Sequence, residues 1–331
     1  MEQRPIGSTG VSVSTLGFGC GAFAGLLVRG DRKQQVRTVQ RAVEGGVNYF
    51  DTAAQYGDGQ SEANLGAALA EIGATDDVVI GTKVRFEASE LEDPEPVMRR
   101  SLQESLKRLR RDVVDVYVLH NFPRPSTDRN GVLTGQLARI ASAMQGLRDD
   151  GLVRSIGLTG VGDTTSILAA VDTALFDFVQ CYYNVLNPSA VYAGACGDGQ
   201  DFKGAAARTT ALGQTSMGVR TMAGGALVAS EYRSPLAGPA GSGGGLGGST
   251  YDSDLERARR LIPLAERWGC RDVIEFGLRF AISDPRVATA LVGISDLDQV
   301  ETALQAVGRG ALPQAALDEA VALARNGLAS K

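Results

Sequence analysis

The sequence predicts a closed parallel barrel of eight strand–helix units, a (β/α)8 or TIM barrel, with residues 1–331 forming one domain. Three observations carry this expectation. Short apolar, β-branched runs recur eight times, segments with helical periodicity separate most of them, and three consecutive runs end on Asp51, Lys83 and His120. Runs that are apolar on both faces belong to a buried parallel sheet. Their alternation with helices over this length fits a barrel better than a doubly wound sheet.

In chain order the strands are expected near residues 15–20, 47–52, 78–83, 113–120, 155–159, 178–182, 218–222 and 288–292. Between the third and fourth, Asp93-Pro94 opens a helix whose stripe is Met98, Leu102, Leu106 and Leu109, with proline tolerated in the first turn. Asp163 is the expected N-cap of a helix carrying Ile167, Val171 and Leu175, because a short carboxylate there accepts orphan backbone N–H groups. Further helices are expected over 33–45, 61–72, 136–150, 255–268, 272–283 and 313–326.

The first run, Gly17-Phe18-Gly19-Cys20-Gly21, has glycines spaced too loosely for a dinucleotide-binding fingerprint and reads as a tight turn at a strand end. Long loops are expected at 121–135, 184–202 and 223–251. All follow strands, on the face where barrel active sites form. The last contains a glycine-rich stretch, about 236–250, expected to be mobile.

Composition excludes several classes of function. The chain is 44% hydrophobic with a formal charge of −5, and its pI of about 5.2 and mean hydropathy of −0.04 are those of a globular protein. Lys107, Arg108, Arg110 and Arg111 form the densest basic cluster. At a helix C-terminus it complements the dipole, and it is too narrow for a nucleic-acid surface. Four cysteines without a Cys-x-x-Cys pair, beside a single histidine, predict no metal site. No membrane-length apolar stretch and no leader-like start are seen, so a cytoplasmic protein is expected, with neither nucleic acid nor membrane as partner.

The chemistry concentrates at the ends of the second, third and fourth strands. Asp51 ends the second, Tyr56 follows in a glycine-marked loop, and Lys83 and His120 end the next two. A buried lysine needs a counter-charge, which Asp51 supplies from the neighbouring strand. Lys83 beside Tyr56 is expected to favour the phenolate and lower a pKa normally near 10. His120 is placed to hydrogen-bond and orient a carbonyl oxygen. Each residue alone has a plainer reading: a helix cap, a packed ring, a lysine reaching solvent, a structural histidine. Their convergence on one rim points to proton transfer at a carbinol or carbonyl oxygen.

The block from Gly46 to Gly66, with Asp51-Thr52-Ala53, Tyr56-Gly57, Glu62 and Leu65-Gly66, strongly resembles the aldo-keto reductases. So do Gly151-Leu152-Val153-Arg154-Ser155-Ile156-Gly157, Val179-Gln180 with Tyr183-Asn184, and Val292-Gly293. The resemblance implies an NAD(P)-dependent oxidoreductase acting on a small carbonyl compound (aldehyde, ketone or sugar) or the matching alcohol, with Asp51, Tyr56, Lys83 and His120 as its catalytic tetrad. It further implies Thr159, Gly160 and Gln180 around the nicotinamide carboxamide and Arg220 where an aromatic ring often stacks. Gly293, Ser295 and Gln299 fall at the adenosine end. Here Gly160 replaces an asparagine, and Gly293 and Gln299 replace a lysine and an arginine. With Asp296 and Asp298 nearby, NAD(H) and NADP(H) remain open alternatives.

Three functions stay open at this point. The first is a carbonyl reductase or alcohol dehydrogenase, including an aldose 1-dehydrogenase working with NAD+. The second is a non-catalytic, cofactor-binding regulatory subunit, against which the complete tetrad argues. The third is an aldolase using Lys83 as a Schiff base, disfavoured because Asp51 should keep the lysine charged. Phe23, Phe122, Tyr182 and Tyr192 are candidate pocket-lining aromatics.

Overall fold

The computed structural model describes residues 1–128, 130–240 and 247–326. Eight strands close into a barrel in chain order: β1 (Leu16–Gly19), β2 (Tyr49–Asp51), β3 (Val79–Val84), β4 (Val114–Leu119), β5 (Val153–Gly160), β6 (Phe178–Tyr182), β7 (Thr215–Val219) and β8 (Val287–Gly293). All neighbouring pairs are parallel, and β8 closes on β1 with Ala290 beside Leu16 and Gly293 beside Gly19. Helices form the outer layer, and their apolar faces share one core with the outward strand residues. Among the described residues, no helix is long and apolar enough to cross a membrane.

Side chains alternate across each strand. Tyr49, Val116, Val118, Phe178 and Met217 therefore form a second cluster inside the barrel, plugged by Ile6, Val11 and Val13. These three belong to the segment around an antiparallel hairpin, Gln3–Pro5 with Ser12–Ser14, that sequence periodicity missed because each arm has three residues. Interior packing alternates large with small residues. A Cβ at Gly157 would lie 2.3 Å from the Phe178 ring, and one at Gly81 would lie 2.8 Å from the Tyr49 hydroxyl. Both glycines make room for rings on the strands beside them.

Most expected elements occur within a few residues of their predicted bounds. The helix opened by Asp93-Pro94 runs Pro94–Leu109, and Asp163 caps Thr164–Asp172 by accepting from the Ser166 N–H at 2.8 Å. The seventh strand begins and ends earlier than expected, because Arg220 adopts a left-handed φ of 61° and stops it. The helix expected over 255–268 is two, Tyr251–Arg259 and Ile262–Arg267, with Pro263 in the first turn of the second. A helix at Ala205–Ala211 was not expected. Of the glycine-rich stretch 236–250 predicted to be mobile, residues 241–246 lie outside the described residues.

Gly157→Ala should destabilise the fold by about 1–3 kcal/mol, the usual cost of forcing an extra methyl into a filled core. Gly146, inside the helix Leu137–Asp149, gives the opposite expectation, since a methyl added there would meet nothing within 4 Å. Gly146→Ala should gain about 0.5–1 kcal/mol from helix propensity. Urea denaturation of the two variants checks both signs.

Candidate active site

Period-two alternation turns Asp51 inward two residues after Tyr49, and Lys83 inward two after Gly81. Lys83 is 2% exposed and forms an ion pair with Asp51 Oδ1. Its ammonium also donates to the Thr52 carbonyl at 2.6 Å. The second carboxylate oxygen accepts from the Tyr49 hydroxyl at 3.1 Å and from Gln180 Nε2 at 2.7 Å. Gln180 comes from β6, so the pair is held from across the barrel. Burial works against the Lys83 charge, but Asp51 and Tyr56 outweigh it and raise the ammonium above its ordinary value. Burial, then Asp51, pushes the Tyr49 phenol up, so it stays a donor.

Tyr56 follows on the β2 loop, half-buried, with Lys83 Nζ 4.9 Å from its ring centroid. The Tyr56 N–H donates to the Ala53 carbonyl at 3.0 Å and its carbonyl accepts from Ser61 at 3.1 Å. Ser61 in turn links Thr52 and the Cys20 carbonyl, each at 2.9 Å. The loop is thus tied to β1, β2 and the helix Gln60–Glu71. That helix is anchored by Glu62, a fully buried carboxylate that accepts from Arg108 at 2.7 Å and from Thr82. Arg108, read from sequence as complementing a helix dipole, has this more specific task.

His120 lies just past β4, its N–H donating to the Val84 carbonyl at 2.7 Å. Its ring meets Tyr56 edge-on at 5.8 Å and Phe122 at 6.5 Å between centroids. Nδ1 is 3.2 Å from Gln55 Oε1, which leaves Nε2 for another partner. Burial, Lys83 and Arg85 hold the imidazole well below its ordinary pKa, so the ring is neutral near pH 7. One expectation is corrected. Burial raises the Tyr56 phenol above 10, and Asp51 adds to the rise, while Lys83 only partly offsets them. The ammonium favours the phenolate as anticipated, but desolvation is the larger effect.

The four tetrad positions therefore converge. Thr159 and Gln180 are neighbours in register on β5 and β6. Thr159 Oγ1 is buried and has no hydrogen-bond partner among the described residues, whereas the Gln180 amide nitrogen is committed to Asp51. A Cβ at Gly160 would lie 2.5 Å from a Val179 methyl, so packing accounts for the glycine there. Arg220 stacks on the exposed Phe23 ring at 5.3 Å. After β8, Gly293 is exposed beside Ala24. Ser295 Oγ donates to the Ala24 carbonyl at 2.7 Å, and Gln299 Oε1 accepts from the Ser295 N–H at 2.8 Å. Asp296 caps the helix Leu297–Gly308 by accepting from the Gln299 N–H at 2.9 Å. Phe122 lies beside His120, but two other predicted pocket aromatics serve elsewhere. Tyr182 stacks on Phe202 at 5.3 Å, and Tyr192 donates to Asp284 at 2.9 Å.

Sequence reasoning missed Tyr49 and Gln55 as site residues. Tyr49 shares the Asp51 face at i−2, a signal the strand pattern carried. Gln55 had none beyond standing next to Tyr56. Among the described residues there is no group of His, Cys, Asp and Glu suited to a metal ion.

These groups stand on the rim of adjacent strands of the barrel, and the sequence profile of the Aldo/keto reductase family matches residues 15–324. The chain belongs to that family. It is similar to the aldo-keto reductase YhdN of Bacillus subtilis (strain 168), 33% identical over 164 residues, covering 48% of this chain and 47% of that protein. That match spans about half the length of the relative. The L-galactose dehydrogenase of Arabidopsis thaliana is 25% identical over 316 residues, covering 93% and 88%. Among solved structures, the holo form of aldo-keto reductase AKR11C1 from Bacillus halodurans is similar with a TM-score of 0.73. It is 25% identical and covers 98% of this chain and 96% of its own.

Lys83→Met should strand the buried Asp51 carboxylate and cost about 3–5 kcal/mol, as breaking a buried pair does. The double variant Lys83→Met, Asp51→Asn should recover much of that loss. Equilibrium denaturation of the single and double variants gives the coupling, and independent, additive effects would contradict the geometry.

Proposed function

We propose that the protein is an NAD(P)-dependent oxidoreductase that interconverts a small carbonyl compound and its alcohol, with Tyr56 as general acid and base. The carrying observation is the Lys83 ammonium held by Asp51 against the Tyr56 ring. When bound, the nicotinamide supplies or accepts the hydride. Thr159 Oγ1, a buried hydroxyl without a partner, and the carbonyl oxygen of Gln180 are the groups that would hold its carboxamide.

Tyr56 donates its phenolic proton to the substrate oxygen in reduction and takes it back in oxidation. Lys83 stabilises the phenolate left behind, and Asp51 keeps Lys83 charged. Neutral His120 fixes the substrate oxygen through Nε2. With the Gln55 amide oxygen accepting at Nδ1, that nitrogen carries the proton; with the amide turned to place its nitrogen there, Nε2 carries it and donates to a carbonyl. A lysine so firmly charged is a poor Schiff-base nucleophile, which argues against aldolase chemistry. The full-length similarity to a plant L-galactose dehydrogenase supports a sugar or related polyol as substrate.

For the cofactor form we propose NAD(H). Ser295 Oγ and the Gln299 side chain are already spent on the fold, and the Asp296 and Asp298 carboxylates stand in the opening turn of the next helix. A 2′-phosphate there would meet negative charge.

Two outcomes test this reading. Because Tyr56 is raised above 10, it is protonated through the neutral range. Reduction should be flat there and fall only in alkali, while oxidation should rise about tenfold per pH unit toward the phenol pKa. Tyr56→Phe should abolish both, and turnover unaffected by that change would sink the proposed role. In calorimetric titrations NADH should bind at least about tenfold more tightly than NADPH, a difference of about 1.4 kcal/mol. Equal affinities would remove the case for NAD(H).

A further inference from the structure

The tetrad determines where a substrate oxygen sits and leaves the rest of the substrate unspecified. Two arginines beside it carry that information. Arg85 follows Lys83 by two residues past β3, and Arg124 follows His120 by four past β4, so they rise from neighbouring loops on one rim. Both are half-buried.

Half-buried Arg108, Arg111, Arg148 and Arg286 each meet a carboxylate within 3.0 Å, and half-buried Arg233 donates to the Gly224 and Gly238 carbonyls. The Arg85 and Arg124 guanidinium groups have neither a carboxylate partner nor a hydrogen bond among the described residues. Arg124 lies with its guanidinium carbon 5.5 Å over the Phe122 ring, and that ring is edge-on to His120. Arg85 is close enough for its charge to act on His120. Two cations without a carboxylate thus stand on neighbouring loops beside His120 in a chain whose formal net charge is −5. Partial burial removes water from guanidinium groups, and like charges repel one another. Both costs are offset when an anion enters.

We propose that Arg85 and Arg124 bind an anionic group, a carboxylate or phosphate, at the non-reacting end of the substrate. The inference deepens the proposed function and rests on it for the position of the reacting oxygen. Guanidinium forks fit carboxylate and phosphate oxygens in pairs, and stacking on Phe122 keeps one fork in place before the ligand arrives. The substrate class is then a keto or hydroxy acid, a uronic acid or a sugar phosphate, with its carbonyl or hydroxyl at Tyr56 and His120.

The test has a binding arm and a turnover arm. His120 is the only histidine, so its imidazole resonances in selectively labelled protein need no assignment. Titration with succinate and with inorganic phosphate should shift them saturably, and whichever anion saturates at lower concentration identifies the class. Arg85→Gln and Arg124→Gln should each weaken that binding at least tenfold, while Arg37→Gln, on an exposed helix face, should not. In turnover, succinic semialdehyde should be compared with butanal, and glyceraldehyde 3-phosphate with glyceraldehyde. At least one anionic member should show kcat/KM tenfold or more above its neutral partner, and the ratio should collapse in both arginine variants. Neutral substrates turned over as well as anionic ones, with no saturable shift of His120, would overturn the proposal while leaving the oxidoreductase reading intact. A saturable, arginine-dependent shift without turnover of any carbonyl would keep the anion site and remove the reaction assigned to it.

Discussion

The ion pair between Lys83 and Asp51 is the constraint on which the rest of the site depends. Two charges inside a barrel are costly unless their hydrogen-bonding capacity is filled. Here it is filled from three strands: Lys83 and Tyr49 come from strands beside or containing Asp51, and Gln180 reaches in from β6. The Thr52 carbonyl accepts a further hydrogen bond from the ammonium. Closing the barrel and satisfying the pair are therefore one geometric requirement. A strand register shifted by one residue would turn Asp51 or Lys83 outward and leave the other unpaired.

Burial and that pair together set the protonation of its neighbours. Tyr56 is subject to opposing influences, with burial and Asp51 holding its proton while Lys83 loosens it. His120 feels burial, Lys83 and Arg85 in the same direction and stays neutral. A neutral imidazole beside a protonated phenol is a suitable resting state for receiving a carbonyl oxygen, since neither group has to change charge before substrate arrives. The second ring nitrogen is governed by Gln55, whose amide can present either an oxygen or a nitrogen to Nδ1.

Much of this was legible in the sequence because strand ends obey simple rules. Asp51, Lys83 and His120 each close an apolar run, and a parallel barrel gathers such ends on one face. The helix starts at Asp93 and Asp163 were equally local. What failed were features set by single backbone torsions or by distant partners. Arg220 ends β7 through a left-handed φ that no apolar pattern announces. Pro263 splits a helix that periodicity read as continuous. The bond from Gln180 to Asp51 spans 129 residues of sequence and has no local signal. The sign of the Tyr56 shift also depended on depth of burial, which residue spacing does not encode.

The same contrast separates chemistry from recognition within the site. The groups proposed to move protons sit on strands or within a few residues of them, where backbone hydrogen bonds fix their position. The groups proposed to distinguish one ligand from another sit on the loops that follow. After β8, the loop residues Ser295 and Gln299 bond to their own surroundings. Past β3 and β4, the Arg85 and Arg124 guanidinium groups have no acceptor among the described residues. An anion held there would cancel part of the Arg85 field at His120, but burial and Lys83 act on the ring independently of it. The imidazole would thus stay neutral with a charged substrate in place, and the rim can select for charge without changing the chemistry beneath it.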